Sequence, residues 1–159
     1  MNGLTQRRPA VDVGDEAQVR DLLARLMAGW NAGSGEGFAA PFAEDGEQVA
    51  FDGTRFRGRD EIASSHQQLF DRFLKGSRLV GRVTDVKFLT PGVAVAHAIG
   101  GTVMPGETDI DPERNSVQTL VAVKLDGEWR IAAFHNSRAQ FMGRAEKVAE
   151  FTAELRRLL

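Results

Sequence analysis

Hydrophobic residues in the first half of the chain recur every three to four positions in two stretches, which is the spacing of one face of an α-helix. The first stripe consists of Val19, Leu22, Leu23, Leu26, Met27 and Trp30. The second consists of Ile62, His66, Leu69, Phe70 and Phe73. Asp15, with Gln18 three residues later, resembles a capping box and predicts that the first helix begins there. The pattern therefore predicts two amphipathic helices, with a short helix at 36–40 between them.

From Arg78 onward the period of the apolar residues changes to two, which is typical of β-strands. The predicted strands cover residues 79–89, 93–103, 116–125 and 128–137. Pro91-Gly92 and Asp126-Gly127 make tight connections, so neighbouring strands are expected to be antiparallel. Helices followed by a run of antiparallel strands indicate an α+β fold, with the helices on one side of a curved sheet.

Two further segments complete the predicted order. The sequence EQVAFDGTRFRG predicts a hairpin of two short strands that turns at Asp52-Gly53. The tail at 143–159 predicts a last helix, which packs either on its own domain or on a partner. Its apolar side consists of Val148, Phe151, Leu155 and Leu158. Residues 1–14 show no periodicity and are interpreted as a flexible arm, which leaves 15–142 as a single domain.

The composition is that of a globular chain, because 159 residues with 42% hydrophobic and 26% charged side chains can bury a core. The formal net charge of −2 gives no basic surface, so neither nucleic acid nor a membrane is expected as a partner. Arg7-Arg8 is not followed by an apolar segment, so we expect no export signal and a cytoplasmic location. Cys and Tyr are absent, which leaves His, Asp, Glu, Lys and water for acid–base chemistry.

The three histidines are the candidate catalytic residues. His66 lies within the apolar stripe of its helix, and strict alternation places His97 and His135 on the apolar faces of their strands. Each is therefore predicted to point inward, where its pKa can move and where imidazole can transfer protons. Any one of them could equally be a hydrogen-bonded core histidine, but three together favour a shared polar cavity.

Metal binding is the competing use of three histidines. They fall on three different elements, and no H-x-H, H-x3-H or HExxH spacing links them. No glycine-rich nucleotide fingerprint, phosphate-binding loop or nucleophile elbow occurs either. The sequence therefore predicts no metal and no cofactor.

An apolar wall for a ligand is predicted from three aromatic residues, Trp30, Phe42 and Phe51, with the carboxylate of Asp45 at its rim. The alternative for Trp30 and the segment around Phe42 is that they close the core and lead into the first strand. These four residues are retained as candidate substrate contacts.

Two polar residues on the predicted sheet are further candidate contacts, Thr119 and Asn136. Strict alternation places Thr119 and His135 on one face, and Gln118 and Asn136 on the opposite one. That opposite face could be a dimer surface, unless a β-bulge turns Gln118 and Asn136 inward.

In this order and spacing, several short motifs resemble the NTF2-like superfamily, whose members include ketosteroid isomerase and the SnoaL-like polyketide cyclases. The motifs, which span about residues 15–138, are WNAG at Trp30, FAEDG at Phe42, GRDEI at Gly58, His66, VAVAH ending at His97, QTLVAV at Gln118 and GEWRIAAFHNSR at Gly127. Within the superfamily the chain is most similar to the SgcJ/EcaC group, which includes small proteins associated with enediyne antibiotic biosynthesis.

The resemblance implies a cone of helices packed on a strongly curved, mostly antiparallel sheet, with a pocket between them and an additional C-terminal helix. It further implies a homodimer, and acid–base chemistry on apolar, carbonyl-bearing substrates without a cofactor. Ketosteroid isomerase uses a Tyr in its oxyanion hole, so in this chain a His or Asn would have to donate instead.

We therefore expect a cofactor-independent protein that acts on, or holds, a hydrophobic polyketide-like intermediate, with an enediyne as one candidate. As an enzyme it would be an isomerase, a cyclase or a dehydratase, and other biosynthetic enzymes are candidate partners. The alternatives are a ligand-binding accessory protein without catalysis and a homodimeric assembly module.

Overall fold

The computed structural model describes residues 11–159, so most of the predicted arm at 1–14 lies outside the described residues. Four helices and six strands form the fold. The helices are α1 (Asp15–Asn31), α2 (Gly35–Ala39), α3 (Arg59–Phe70) and α4 (Ala145–Arg156). The strands are β1 (Phe42–Val49), β2 (Arg55–Arg57), β3 (Arg78–Thr90), β4 (Val93–Val103), β5 (Ser116–Leu125) and β6 (Glu128–Arg138). Short 3₁₀ turns lie at Pro112–Arg114 and Phe141–Gly143.

The six strands form one sheet in the order β2-β1-β6-β5-β4-β3. Every neighbouring pair is antiparallel except β1 and β6, which run parallel. Helices α1, α2 and α3 cover one face of the sheet, which we call the inner face. The predicted α+β architecture, with a mostly antiparallel sheet and a C-terminal helix, is confirmed.

The core lies between these helices and small side chains on the central strands. Ala94 and Ala96 on β4 and Ala122 on β5 are fully buried, as are Val19 and Leu22 on the predicted stripe of α1. Short side chains on the sheet allow the helices to approach it closely, so that both layers share one hydrophobic core.

The first helix begins differently from the predicted capping box. Its N-cap is Gly14, in a left-handed conformation with φ 104°, so Asp15 is the first residue of the helix and not its cap. The Asp15 carboxylate instead accepts hydrogen bonds from Trp129 Nε1 at 2.9 Å and from Lys124 Nζ at 3.2 Å. Chiefly because of the bond from Trp129, the pKa of Asp15 is lowered. The carboxylate thus fixes the start of α1 to β5 and β6.

A β-bulge in β6 reverses the alternation of that strand. Ile131 lies opposite Ala122, but the preceding residue of β5, Val121, lies opposite Ala133, so Ala132 is an extra residue. Ile131 faces inward before the bulge, and Phe134 and Asn136 face inward after it. The prediction that His135 points inward is therefore wrong, because strict alternation does not hold across an inserted residue.

The inward orientation predicted for His97 is also wrong. Its strand presents Ala94, Ala96 and Ala98 to the core, while His97 is exposed on the opposite, convex face. Val93 and Val95 resemble core positions in sequence, but they share this convex face and are only half-buried. The chain places alanine on the inner face because the packed helices leave little room there.

Helix α4 packs on its own sheet. Leu155 is completely buried in a second, smaller cluster with Ile99, Val103 and Ile110. Thr152 adds a buried hydrogen bond, which its hydroxyl accepts from the Asn115 side chain at 2.7 Å. The helix covers one end of the convex face, and the part of that face around His97 is exposed. Among residues 11–159, no helix has the length and apolar character needed to cross a membrane.

Candidate functional site

A cavity of about 610 Å³ opens between the helices and the inner face of the sheet. Its deep walls are mainly apolar and aromatic, and residues of α1, α2 and α3 all line them. The aromatic side chains in the walls are Trp30, Phe38, Phe56 and Phe134. A cavity of this size and lining is typical of binding sites for small organic molecules.

His66 is the only histidine that lines this cavity, and it is 3% exposed. Its ring stacks on Phe38, with the ring centroids 4.0 Å apart, and meets the edge of Phe56 at 5.6 Å. Its Nδ1 lies 2.7 Å from the carbonyl oxygen of Ile62, one turn earlier in α3. A carbonyl can only accept, so Nδ1 carries the proton and Nε2 holds a lone pair.

The environment of His66 keeps its ring neutral. Burial lowers the pKa from 6.5 to about 4, and the hydrogen bond to the Ile62 carbonyl opposes this only in part. Within residues 11–159, no carboxylate contacts the ring. The Nε2 lone pair has one weak neighbour, the amide nitrogen of Gln48 at 3.5 Å. His66 can therefore accept a hydrogen bond or a proton from a bound molecule.

Three polar side chains form a second group in the cavity wall. Gln118 Nε2 donates to Ser116 Oγ at 2.6 Å and to Asn136 Oδ1 at 3.0 Å. No donor of the described residues reaches the buried carbonyl oxygens of Gln118 and Gln48. Buried amide oxygens are costly without a donor, so these two wall positions suit ligand hydroxyl or N–H groups.

The mouth of the cavity combines aromatic and cationic groups. The guanidinium of Arg138 lies 4.6 Å from the ring centroid of Phe51, and that of Arg114 lies 5.9 Å from the same ring. Arg114 also lies 5.6 Å from the ring of Phe73. Arg72 lines the mouth as well. The turn after β1, the turn after α3, the 3₁₀ turn and the end of β6 thus converge at the entrance.

Four of the predicted site residues line the cavity: Trp30, Phe51, His66 and Asn136. Phe42 does not line it, because this residue is completely buried behind Phe38 and Phe134, at ring-centroid distances of 6.3 and 6.2 Å. Asn136 faces the cavity because of the β-bulge in β6, which is the alternative to strict alternation that was considered for it.

The remaining four predicted site residues lie outside the cavity, so the predicted convergence of three histidines is wrong. Asp45 is exposed in the irregular part of β1. His97, Thr119 and His135 are paired in one row across the convex face. There Asp85 Oδ2 lies 3.3 Å from His97 Nδ1, and both side chains are more than half exposed.

The wall residues that the sequence did not reveal are Phe38, Gln48, Phe56, Arg114 and Phe134. A signal exists for Gln48, because alternation places it on the same face as Gly46, opposite the charged Asp45 and Glu47 of β1, and so puts an amide on a core-facing position. Arg114 lies in a polar loop, where only the tertiary structure brings it to the mouth.

No cluster of three or more His, Asp or Glu side chains suited to holding a metal ion is found within the described range, 11–159. Of the described residues that line the cavity, only those at its mouth are charged. The protein groups available to a ligand in the deep cavity are therefore an imidazole, amides and hydroxyls.

Comparison with known families and structures gives a consistent assignment. A family model described as SnoaL-like domain matches residues 11–135. A domain of unknown function with a cystatin-like fold from Nostoc punctiforme is 34% identical, with a TM-score of 0.78 over 92% of this chain and 99% of that one. No curated protein sequence matches the chain.

Two more distant structures share the fold. An uncharacterized protein with a cystatin-like fold from Caulobacter vibrioides is 26% identical, with a TM-score of 0.67 over 85% of this chain and 97% of that one. A hexachlorocyclohexane dehydrochlorinase, LinA type 2, is 11% identical, with a TM-score of 0.68 over 80% of this chain and 86% of that one. At this identity the dehydrochlorinase supports the fold alone.

Proposed function

The chain belongs to the SnoaL-like domain family, and on that premise we propose that its cavity binds a hydrophobic, polyketide-like intermediate and transfers a proton through His66. The observation that carries this proposal is a neutral, buried imidazole in an aromatic cavity of about 610 Å³. An aromatic cavity favours a planar, apolar molecule, and the imidazole offers the one acid–base group among its deep walls.

The proposed step is proton abstraction from a carbon next to a carbonyl. The Nε2 lone pair of His66 takes the proton, the C–H bond breaks, and its electron pair delocalises onto the carbonyl oxygen as an enolate. Because Asn136 accepts from Gln118 through Oδ1, its Nδ2 group can donate to that oxygen. Returning the proton to another position completes an isomerisation, and loss of a leaving group completes an elimination.

One observation favours holding the ligand without turnover as the second candidate. His66 Nδ1 bonds to a backbone carbonyl at 2.7 Å rather than to a carboxylate, so no nearby negative charge stabilises the imidazolium. With a pKa of about 4, the ring is a weak base. Binding of a reactive intermediate would then be the function, with catalysis supplied by other enzymes.

Secondary metabolism, and an enediyne pathway within it, is the finer proposal. It is supported by the resemblance of the sequence to the SgcJ/EcaC group and by the apolar cavity. Both the group and the pathway stay predictions, as does the absence of a cofactor.

A ketone probe distinguishes the two candidates. 2-Tetralone is an apolar bicyclic ketone whose α-hydrogens exchange for deuterium in D₂O when a base removes them, and proton NMR follows that exchange. We expect the protein to bind it and to accelerate exchange above the buffer rate, and His66→Asn to bind it without acceleration. Binding without acceleration in the unaltered protein supports the holding function. If calorimetry detects no binding of 2-tetralone at millimolar concentration, both candidates are wrong.

We also propose a homodimer that forms through the convex face of the sheet. Val95 and Val121 lie opposite each other at the centre of this face and are half-buried, and Val117 is 39% exposed. Helix α4 covers only the end near Ile99, so a second copy could bury the central valines. In that arrangement His97 and His135 would be interface residues.

A further inference from the structure

We infer that the molecule bound in the cavity carries an anionic oxygen group, a carboxylate or a phosphate, which Arg114 and Arg138 bind at the mouth. This inference rests on the proposed function, because it names the class of molecule that the same cavity takes. The ligand would have an apolar body beside His66 and Phe38 and a negative end at the entrance.

The first argument is that the two arginines are positioned but not neutralised. Among residues 11–159, no carboxylate oxygen lies within 4.0 Å of either guanidinium, although both are held against aromatic rings. Arg114 is half-buried. Removing a cation partly from water without a counter-ion is unfavourable, and a ligand anion would offset that cost.

The second argument is the geometry of the two side chains. Both guanidinium groups lie against the ring of Phe51, with the centroid 4.6 Å from Arg138 and 5.9 Å from Arg114. An aromatic ring interacts with a guanidinium through its π face and leaves the N–H groups at the guanidinium edge available to an acceptor. Two such groups beside one ring place several N–H donors at the mouth, and each group can bind the oxygens of a carboxylate or a phosphate.

The third argument is the distribution of charge. Among residues 11–159, the charged residues that line the cavity are three arginines and one aspartate, which together give the mouth a charge of +2: Arg72, Arg114, Arg138 and Asp52. The whole chain has a formal net charge of −2. Positive charge is thus concentrated at the entrance of an otherwise uncharged, apolar cavity, where it attracts an anionic ligand and fixes its orientation.

The test compares probes that share one apolar body and differ in the end group. 2-Naphthalenemethanol is neutral, 2-naphthoate carries a carboxylate, and 2-naphthyl phosphate carries a phosphate. Isothermal titration calorimetry measures the Kd of each for the unaltered protein, for the double variant R114Q/R138Q and for R157Q. Arg157 is exposed at the end of α4, so R157Q removes one positive charge away from the mouth, where the double variant removes two at the mouth.

We expect at least one anion to bind about tenfold more tightly than the alcohol at low salt, and this preference to weaken as salt is added. The anion that shows the larger preference identifies the end group. The preference should fall to about twofold or less in R114Q/R138Q and persist in R157Q.

Two results would overturn the inference while leaving the proposed function intact. One is equal affinity of the unaltered protein for the alcohol and both anions. The other is a preference for anions that survives unchanged in R114Q/R138Q. Failure of all three probes to bind would contradict the proposed function itself, because the apolar body alone should enter the cavity.

Discussion

The protein should lose unfolding free energy between pH 7 and pH 5, and replacing His66 by Asn should abolish most of that loss. In the folded protein burial lowers the pKa of His66 from 6.5 to about 4. Between these two values the unfolded chain binds a proton at His66 and the folded chain does not. Falling pH therefore favours unfolding: the contribution to stability is fully present above 6.5, declines below it and levels off near pH 4.

The two protonation equilibria determine the size of the effect. At pH 5 the imidazole is about 97% protonated in the unfolded chain, but only about one tenth protonated in the folded protein. This difference corresponds to about 2 kcal/mol of unfolding free energy lost between pH 7 and pH 5. Solvent screening does not reduce this free-energy difference, because the His66 side chain is only 3% exposed. Ordinary Asp and Glu side chains titrate mostly below pH 5 and contribute little across this interval.

Urea unfolding at pH 7 and pH 5 measures the effect as a difference between variants, so a general loss of stability in His66→Asn does not matter. At a protein concentration low enough to keep the chain monomeric, His135→Gln is the matched control, because it removes an exposed histidine and leaves His66 in place. If His66→Asn loses as much stability between pH 7 and pH 5 as the unaltered protein does, then His66 is not held neutral by burial, and the assignment of its protonation state fails.

Two further predictions concern packing and assembly. Gly29→Ala should lower the unfolding free energy measured in urea by about 3 kcal/mol or more, because the new Cβ would lie 2.2 Å from backbone atoms of Gly37 and Phe38. Gly92→Ala is the control: its Cβ meets nothing within 4 Å, so its unfolding free energy should stay within about 1 kcal/mol of that of the unaltered protein. Equal losses in the two variants would show that α1 and α2 do not approach so closely. Val121→Arg should turn the proposed dimer into a monomer in sedimentation experiments without changing the affinity for 2-naphthalenemethanol, since it places a charge at the centre of the convex face. If the unaltered protein sediments as a monomer at about 100 µM, it does not form the proposed dimer at that concentration.

The order and type of the elements could be predicted because local patterns determine them. The stripe of α1 is buried as its spacing indicated, and Asp52-Gly53 forms the turn between β1 and β2. The parallel pairing of β1 with β6 joins segments about 85 residues apart, and no local pattern encodes such a contact.

The candidate site could be predicted from the helical pattern at Trp30 and His66, and outside the helices at Phe51 in the hairpin turn. His66 faces inward because its helix is regular, and its neighbours Ile62 and Phe70 are buried with it. On the strands, one extra residue at Ala132 exchanged the faces of His135 and Asn136, and no glycine marks this bulge in the sequence. His97 was misplaced because valine is more apolar than alanine, although alanine is what fits beneath closely packed helices.

Asp15 shows a similar limit at the start of α1. Its spacing to Gln18 fits a capping box, but a tertiary bond from Trp129 Nε1, 114 positions along the chain, holds its carboxylate instead. Short-range hydrogen-bond patterns predict what a side chain can do locally, and tertiary contacts decide which partner it takes.

The central claim is that the cavity beside His66 receives a small apolar molecule. NMR of the three imidazole rings during titration with 2-naphthalenemethanol tests this claim directly, because only one ring lines the cavity. We predict that the His66 resonances shift and saturate with the ligand, while those of His97 and His135 stay in place. Saturating shifts at His97 and His135, with His66 unmoved, would contradict the account by placing the bound molecule on the convex face.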